Sequence, residues 1–267
     1  QYNTALGGNA LEANTTANSN VAIGKNALLS NTTGANNVAV GAFSLDANTT
    51  GDDNVAIGRD ALTACTASDN VAVGNYALDA CTTGSSNAAV GRHALGAVTT
   101  GANNVAVGGL AGDAITTGEG NVTIGRQSLS DNSTGSYNTA VGYLTLKSNT
   151  VSSNTAVGYN AMYANTTGSN NVAVGYAALD ANTIASNNTA LGYDALTANT
   201  TGDKNTSVGQ AALDANTTGR LNTAMGQDAL GSNTTAGNNT AFGQAALFTN
   251  TTGANNTAVG RGALGSN

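Results

Sequence analysis

The chain has 267 residues and a formal net charge of −7, with only 9% charged and 4% aromatic residues. An acidic chain lacks the basic surface that binds nucleic acid or an anionic membrane, and no apolar run approaches the roughly 20 residues of a membrane span. We therefore expect no nucleic-acid partner and no membrane insertion.

One short motif recurs along the whole chain. It first occurs at Asn3–Gly7 and last at Asn256–Gly260, sixteen copies in all, and the closing glycines are 17 residues apart in thirteen of fifteen intervals and 16 apart in two. Disordered chains do not keep an apolar residue at a fixed place in every repeat, so this regularity predicts a stacked repeat architecture. Both shorter repeats lose a residue at a bend, where we expect the strand register to survive.

No linker interrupts the repeats, so we expect residues 1–267 to form a single continuous repeat domain. Because both ends of the sequence fall inside a repeat, we interpret the chain as a segment of a longer fibre.

Numbered from its glycine, the repeat reads Gly-x-x-Ala-Leu-x-Ala-Asn-Thr-Thr-Gly-x-x-Asn-(Val/Thr)-Ala-(Val/Ile). Positions 15 and 17 flank an Ala at position 16, an alternation with period two that predicts a strand. The Thr-Thr-Gly and Asn-Asn clusters would end a helix in every unit. The expected fold is all-β: a parallel β-solenoid, or β-roll, of about sixteen 17-residue coils. We expect two short strands per coil, near positions 14–17 and 4–8, with columns 5, 15 and 17 in the interior.

Two columns of the repeat are rich in Asn. Position 14 is Asn in all sixteen copies, including Asn20, Asn37, Asn54, Asn171 and Asn256. Stacked amides can hydrogen-bond from coil to coil or cap a turn, so we expect a structural Asn ladder here. Position 8 is Asn in twelve copies but Cys, Cys, Val and Ile in four consecutive ones, which favours a second, internal ladder.

Position 16 is Ala in fourteen copies, among them Ala22, Ala39, Ala56, Ala173 and Ala258. If columns 15 and 17 are interior, alternation turns this column outward, where a solvated column would vary widely. Uniform Ala indicates close contact with another sheet, so we interpret the column as a subunit-packing surface. The alternative is that small residues suit a tightly curved strand.

Cys65 and Cys81 occupy position 8 of adjacent coils. One coil spacing, about 5 Å, brings their Cα atoms within disulfide range. The alternative is two free buried thiols in an apolar column.

Tyr143, Tyr159, Tyr176 and Tyr193 occupy position 2 of four successive coils. We expect an exposed aromatic row that stacks on sugar rings or packs against a neighbouring chain. The alternative is that these rings only cover the edge of the coils.

No group of residues in the sequence indicates catalysis. The one histidine, His93, lacks the partners of a zinc site or a Ser-His-Asp triad, and the carboxylates are scattered through turns rather than paired. We expect no enzyme activity, no catalytic or metal-binding residue and no cofactor.

The recurrence of Thr at position 9 suggests ice binding as an alternative function. Thr residues at a bend, however, do not form a flat two-column face.

The unit Asn-Val-Ala-Ile-Gly-x-x-Ala, at residues 20–27 and 54–61, resembles the head-domain repeat of trimeric autotransporter adhesins. The longer pattern Gly-Tyr-x-Ala-Leu…Asn-Thr-Thr-Gly…Asn-Thr-Ala-Val is similar to repeats of phage tail-fibre-like proteins. The likeness covers essentially the whole chain. Those adhesin heads are left-handed parallel β-rolls that associate as trimers, and the resemblance implies the same handedness and a homotrimer here.

The sequence therefore predicts a rod-like structural segment of an extracellular fibre: a surface adhesin, a secreted filament or a virion tail fibre. It would act as a stiff spacer and a multivalent attachment surface. The expected partner is the chain itself, as a homotrimer or a head-to-tail filament joined through unpaired strand edges, with a host-surface glycan or protein as a further partner. The alternative is a ligand-binding solenoid, such as a glycan-binding adhesin head or an ice-binding protein.

Overall fold

The computed structural model describes residues 2–266, and every regular element in this range is a three-residue strand. Each strand occupies positions 15–17 of one repeat. The strands are β1 (Thr4–Leu6), β2 (Val21–Ile23), β3 (Val38–Val40), β4 (Val55–Ile57), β5 (Val71–Val73), β6 (Ala88–Val90), β7 (Val105–Val107), β8 (Val122–Ile124), β9 (Thr139–Val141), β10 (Thr155–Val157), β11 (Val172–Val174), β12 (Thr189–Leu191), β13 (Thr206–Val208), β14 (Thr223–Met225), β15 (Thr240–Phe242) and β16 (Thr257–Val259).

The chain divides into two compact units, Gln1–Tyr137 and Asn138–Asn267. In the first unit, β1 to β8 pair in parallel in chain order, and each residue faces the same repeat position of the next coil. Strands β9 to β16 of the second unit pair in the same way. Each unit is thus a parallel β-solenoid, which confirms the fold class predicted from the repeat.

The two 16-residue repeats keep this register, as expected. Val55 pairs with Val71 across the first of them, and Thr139 pairs with Thr155 across the second. The missing residue is therefore absorbed by the bend, and the strand ladder continues without a shift.

The interior of the coils differs from the prediction. Ala173 is 0% exposed, whereas its strand neighbours Val172 and Val174 are 36% and 39% exposed. The other residues of this column that the sequence interpretation assigned to subunit packing are also buried within the chain itself: Ala22, Ala39, Ala56 and Ala258. The prediction of an outward-facing Ala column is therefore wrong, and columns 15 and 17 face outward instead.

The Leu column explains why the inward strand position must be small. A Cβ added at Gly112, which replaces Leu at position 5, would meet the side chains of Leu95, Ile115 and Thr123. Position 5 thus packs against positions 8 and 16 across a narrow coil. Large Leu side chains from one wall fill the space, and the facing strand has room only for Ala, Ser or Thr.

The predicted second strand is also wrong. Positions 4–7 form turns throughout the described residues and position 8 lies outside any strand. Positions 3 and 5 have left-handed backbone, with φ of 49° at Ala177 and 56° at Leu179. This wall still bonds from coil to coil, since the Leu179 N–H donates to the Ala195 carbonyl at 3.0 Å. Left-handed backbone disfavours β-branched side chains, and column 5 indeed holds only Leu, Met and Gly.

The invariant glycine at position 1 follows from backbone crowding. Gly175 has φ of 141°, a conformation that side chains rarely adopt, and a Cβ there would meet the backbone carbonyl of Gly192 in the next coil. Only glycine permits this close stacking of coils.

Candidate functional site

The outward side of the strands forms a surface without charged residues. We call it the outer face and define it as positions 15 and 17 of every repeat. Neither position carries a charged residue in any of the sixteen copies, although the chain has 15 acidic and 8 basic residues. The exposed apolar residues of this face are Leu6, Ile23, Ile57, Val71, Val90, Val105, Val107 and Ile124 in the first unit and Val172, Val174, Leu191, Met225, Phe242 and Val259 in the second.

A contiguous exposed apolar surface marks an interaction site more often than an accident of folding. Its composition changes between the units: position 15 is Val in six of eight strands of the first unit and Thr in seven of eight strands of the second. The outer face was not predicted from the sequence, because columns 15 and 17 were expected to lie in the interior. The lack of charge at both positions was the available signal.

The Asn column at position 14 forms the predicted ladder. The backbone N–H of Asn37 donates to Oδ1 of Asn20 at 2.9 Å, and the Asn20 amide donates to the Gly34 carbonyl at 2.9 Å. The same bonds repeat at Asn54 and Asn171. Each buried amide thus links two coils through backbone groups, which satisfies polar atoms that would be costly to bury alone.

At the last coil the ladder remains, with the Asn256 N–H and side-chain amide both donating to Oδ1 of Asn239, at 3.0 and 3.1 Å.

Position 8 forms a second ladder, built from side-chain amides. The Asn182 amide donates to Oδ1 of Asn165 at 2.7 Å and to the Ala185 carbonyl at 3.0 Å. Where this ladder is interrupted by Cys65, Cys81, Val98 and Ile115, the neighbouring position 14 column adds amide–amide bonds. One of these runs from Asn104 to Asn87 at 3.1 Å.

The two cysteines lie in contact inside the first unit. Both are fully buried, their Sγ atoms are 2.9 Å apart, and Cys81 Sγ lies 3.3 Å from the Gly84 carbonyl. The hydrogen bond from Cys81 lowers the pKa of Cys65, whereas the contact with Cys65, followed by burial, raises the pKa of Cys81.

The Tyr row is a stack of rings in the second unit. Ring centroids are 5.6 Å apart between Tyr143 and Tyr159, then 5.1 Å to Tyr176 and 5.1 Å again to Tyr193, with interplanar angles of 19°, 7° and 9°. The side chains are 38–53% exposed. Because the facing ring surfaces cover one another, a sugar ring cannot stack between them, while the exposed ring edges remain open to a partner.

Ionisable side chains line a hollow in the first unit. Among the described residues, no group of three or more His, Cys, Asp or Glu residues could hold a metal ion. A shallow surface hollow of about 370 Å³ is lined by Asp79, Arg92, His93, Gly96, Ala97, Leu110 and Asp113, none of which is a Ser, Thr, Cys or Lys nucleophile. The His93 ring is stacked on Tyr76 with centroids 4.9 Å apart.

Half-buried carboxylates follow the Leu column at position 6. Desolvation is the main reason that the pKa values of Asp46, Asp79, Asp180 and Asp214 are raised. In the second unit, Asp194 adds like-charge repulsion to the last two. The charged forms of these carboxylates therefore cost stability.

Residues 2–266 contain no helix with the length and apolar character that a membrane crossing requires. Comparison with protein-family models and with curated protein sequences finds no match.

Proposed function

We propose that the chain is a structural repeat segment of an extracellular fibre and that it associates side by side with copies of itself through the outer face. The observation that carries this proposal is a strand surface without charge on which fourteen apolar residues are more than one-third exposed. Location outside the cell and assembly as a trimer are supported by the resemblance of the repeat to adhesin heads.

The size of the outer face supports self-association. Each unit contributes two outward residues from each of eight strands; at about 50 Å² per residue this is on the order of 800 Å², near the amount that each partner buries in a standard interface. A second copy presents the same residues at the same spacing of about 4.8 Å, so rows of side chains from two copies can interlock. An uncharged face also has no attraction for a strongly charged partner.

The internal bonding suits a mechanical role. Within each unit, neighbouring coils are tied through the strand, the left-handed wall and the Asn column at position 14, and several of them also through the amides at position 8. Such repeated ties make a stiff spacer, because no coil can open without breaking several of them. Variable turn positions, including the open edges of the Tyr row, then present the same weak contact many times to a host-surface glycan or protein.

The test is the mass of the protein in solution by light scattering after size exclusion. We expect a trimer for the wild type and a monomer for the double variant Val174→Lys/Leu191→Lys, with unchanged far-UV circular dichroism. The matched control is Asn187→Lys, since Lys204 occupies that position in the next coil, and it should stay trimeric. A monomeric wild type, or a double variant that assembles normally, would overturn the proposal; end-to-end filaments insensitive to the variant would do the same.

A second candidate is ice binding, which one observation favours. Thr189, Thr206, Thr223 and Thr240 stand in register at position 15 on adjacent strands of the outer face, and a flat row of Thr can order water. The position 9 hydroxyls are instead consumed, as the Thr183 hydroxyl donates to the Thr200 carbonyl at 3.2 Å. Thermal hysteresis by a monomeric wild type, lost in Thr206→Lys, would favour ice binding over assembly.

A further inference from the structure

We propose that Cys65 and Cys81 form a disulfide that joins two adjacent coils of the first unit. The proposal does not depend on the fibre assignment. It starts from the position of the pair: both residues occupy position 8, and the backbone beside them is already fixed from coil to coil by the bond from the Thr66 N–H to the Thr82 carbonyl at 3.0 Å. Coil spacing near 5 Å lies within the Cα separation of natural disulfides.

The sulfur atoms need only a small movement to bond. Their separation of 2.9 Å is closer than unbonded sulfur atoms normally approach, and a disulfide bond is about 2.05 Å long. Both side chains are fully buried, so no competing thiol or metal ion reaches them in the closed coil.

The surroundings tolerate the loss of both thiol protons. The Gly84 carbonyl, which lies 3.3 Å from Cys81 Sγ, also accepts the Asn70 amide at 3.0 Å. Oxidation therefore leaves no buried polar atom without a partner, which would otherwise oppose it.

The place of the pair in the repeat gives the bond a structural purpose. Elsewhere, position 8 ties coils together through Asn amides, such as Asn182 to Asn165. At Cys65 this tie is missing, and the same coil is one of the two that lost a residue at its bend. A covalent link would replace the missing amide bond at that weaker coil.

The reaction is thiol–disulfide exchange with a small-molecule disulfide as oxidant. One cysteine thiolate attacks a sulfur of the oxidant, forming a mixed disulfide and releasing one small thiolate. The second cysteine thiolate then attacks the protein sulfur of the mixed disulfide and releases the other. Two electrons pass to the oxidant, and the two cysteine protons go to the released thiolates. Because both Sγ atoms are buried, exchange requires an open coil, either during folding or in a local opening.

The experiment refolds the full chain with oxidised glutathione, denatures it without reductant, and treats it with N-ethylmaleimide before intact-mass measurement. We expect no labelled thiol and a mass about 2 Da below the reduced chain, and two labels after reduction. A proteolytic peptide linking residues 65 and 81 should appear only without reductant. Two labelled thiols in the oxidatively refolded wild type would overturn the proposal.

Cys65→Val is the matched control, because Val98 occupies the same column two coils further on. It cannot close an internal bond, so after oxidative refolding it should carry either one glutathione or one label, and one label after reduction. The double variant Cys65→Val/Cys81→Val separates the bond from packing: the oxidised wild type should melt several degrees above it, and reductant should abolish the gap. A gap unaffected by reductant would count against a bond.

Discussion

Replacement of Leu179 by Ile tests the left-handed wall of the coil directly. Leu179 is fully buried with φ of 56°, and Ile has the same volume with a branch at Cβ. Volume-conserving core changes cost below about 1.5 kcal/mol, and holding a β-branched residue in this strained region adds on the order of 1–2 kcal/mol. We therefore expect Leu179→Ile to lower the free energy of unfolding by about 2–3 kcal/mol.

Two controls separate backbone strain from packing. Leu179→Met should cost below about 1.5 kcal/mol, since Met162 occupies the same column with φ of 52°. Val174→Ile, on the outer face, should be neutral within about 0.5 kcal/mol, since Ile23 and Ile57 occupy that position elsewhere.

The assay is guanidinium unfolding followed by far-UV circular dichroism, with equal m-values required so that the same structure is compared. In thermal melts, about 2–4 °C per kcal/mol is expected for chains of 150–250 residues. If Leu179→Ile is as stable as Leu179→Met, position 5 behaves as a strand residue and the left-handed wall is refuted.

Three further substitutions probe separate parts of the coil. Gly175→Ala should cost about 3 kcal/mol or more, because its Cβ would meet backbone in the next coil, whereas Gly109→Ala, with open space around it, should be neutral by thermal melting. Asn182→Ala removes a rung of the amide ladder and should cost about 2–3 kcal/mol in guanidinium unfolding. Burial, then the charge of Asp194, raises the folded-state pKa of Asp180, so its ionised form opposes folding, and this penalty disappears as the pH falls through the raised pKa. Asp180→Asn should therefore stabilise the protein slightly at pH 7, by less than about 1 kcal/mol for a half-exposed group, measured as a small rise in melting temperature. At a pH well below 3.8, the ordinary pKa of the carboxyl, the substitution should have no stabilising effect. A rise in melting temperature that persists in acid would contradict this.

The period, the parallel solenoid and the Asn ladders could be predicted from the sequence. Each rests on a property that repeats in every coil: a fixed interval, one apolar alternation and an amide that never changes. Stacking identical units in register leaves little choice for such columns. The Asn20 and Asn37 bonds follow from the repeat almost without further assumption.

The direction in which the strand faces could not be predicted from alternation alone. A period of two shows which residues share a side but not which side is inward. We assigned the larger residues to the core, whereas Leu179 and its column fill it from the opposite wall. The useful signal was volume: column 16 stays small, while column 17 ranges from Val174 to Phe242, a variation that a close-packed interior would not accept.

The prediction of a second strand near positions 4–8 goes with an interior Leu column at position 5. Strand positions favour Val and Ile, yet column 5 contains neither, and position 13 is rich in Asn, Asp, Ser and Gly. The preferences of columns 5 and 13 for these residue types fit backbone with positive φ, as at Leu28 and Asn36. The residue types of a column thus carried information that hydrophobicity alone did not.

The outer face also shows what folding alone does not require. A solvent-facing strand accepts Thr, Lys and Arg readily, and other exposed positions of this chain do carry charge, as at Lys25, Arg59 and Lys204. Exclusion of charge from 32 outward positions, two in each of sixteen copies, is not required of a surface that contacts only liquid water. It does benefit a surface that becomes buried, where an unpaired charge costs several kcal/mol. This lack of charge supports the proposed assembly through the outer face, and lysines at Val174 and Leu191 should abolish assembly while leaving the coil intact.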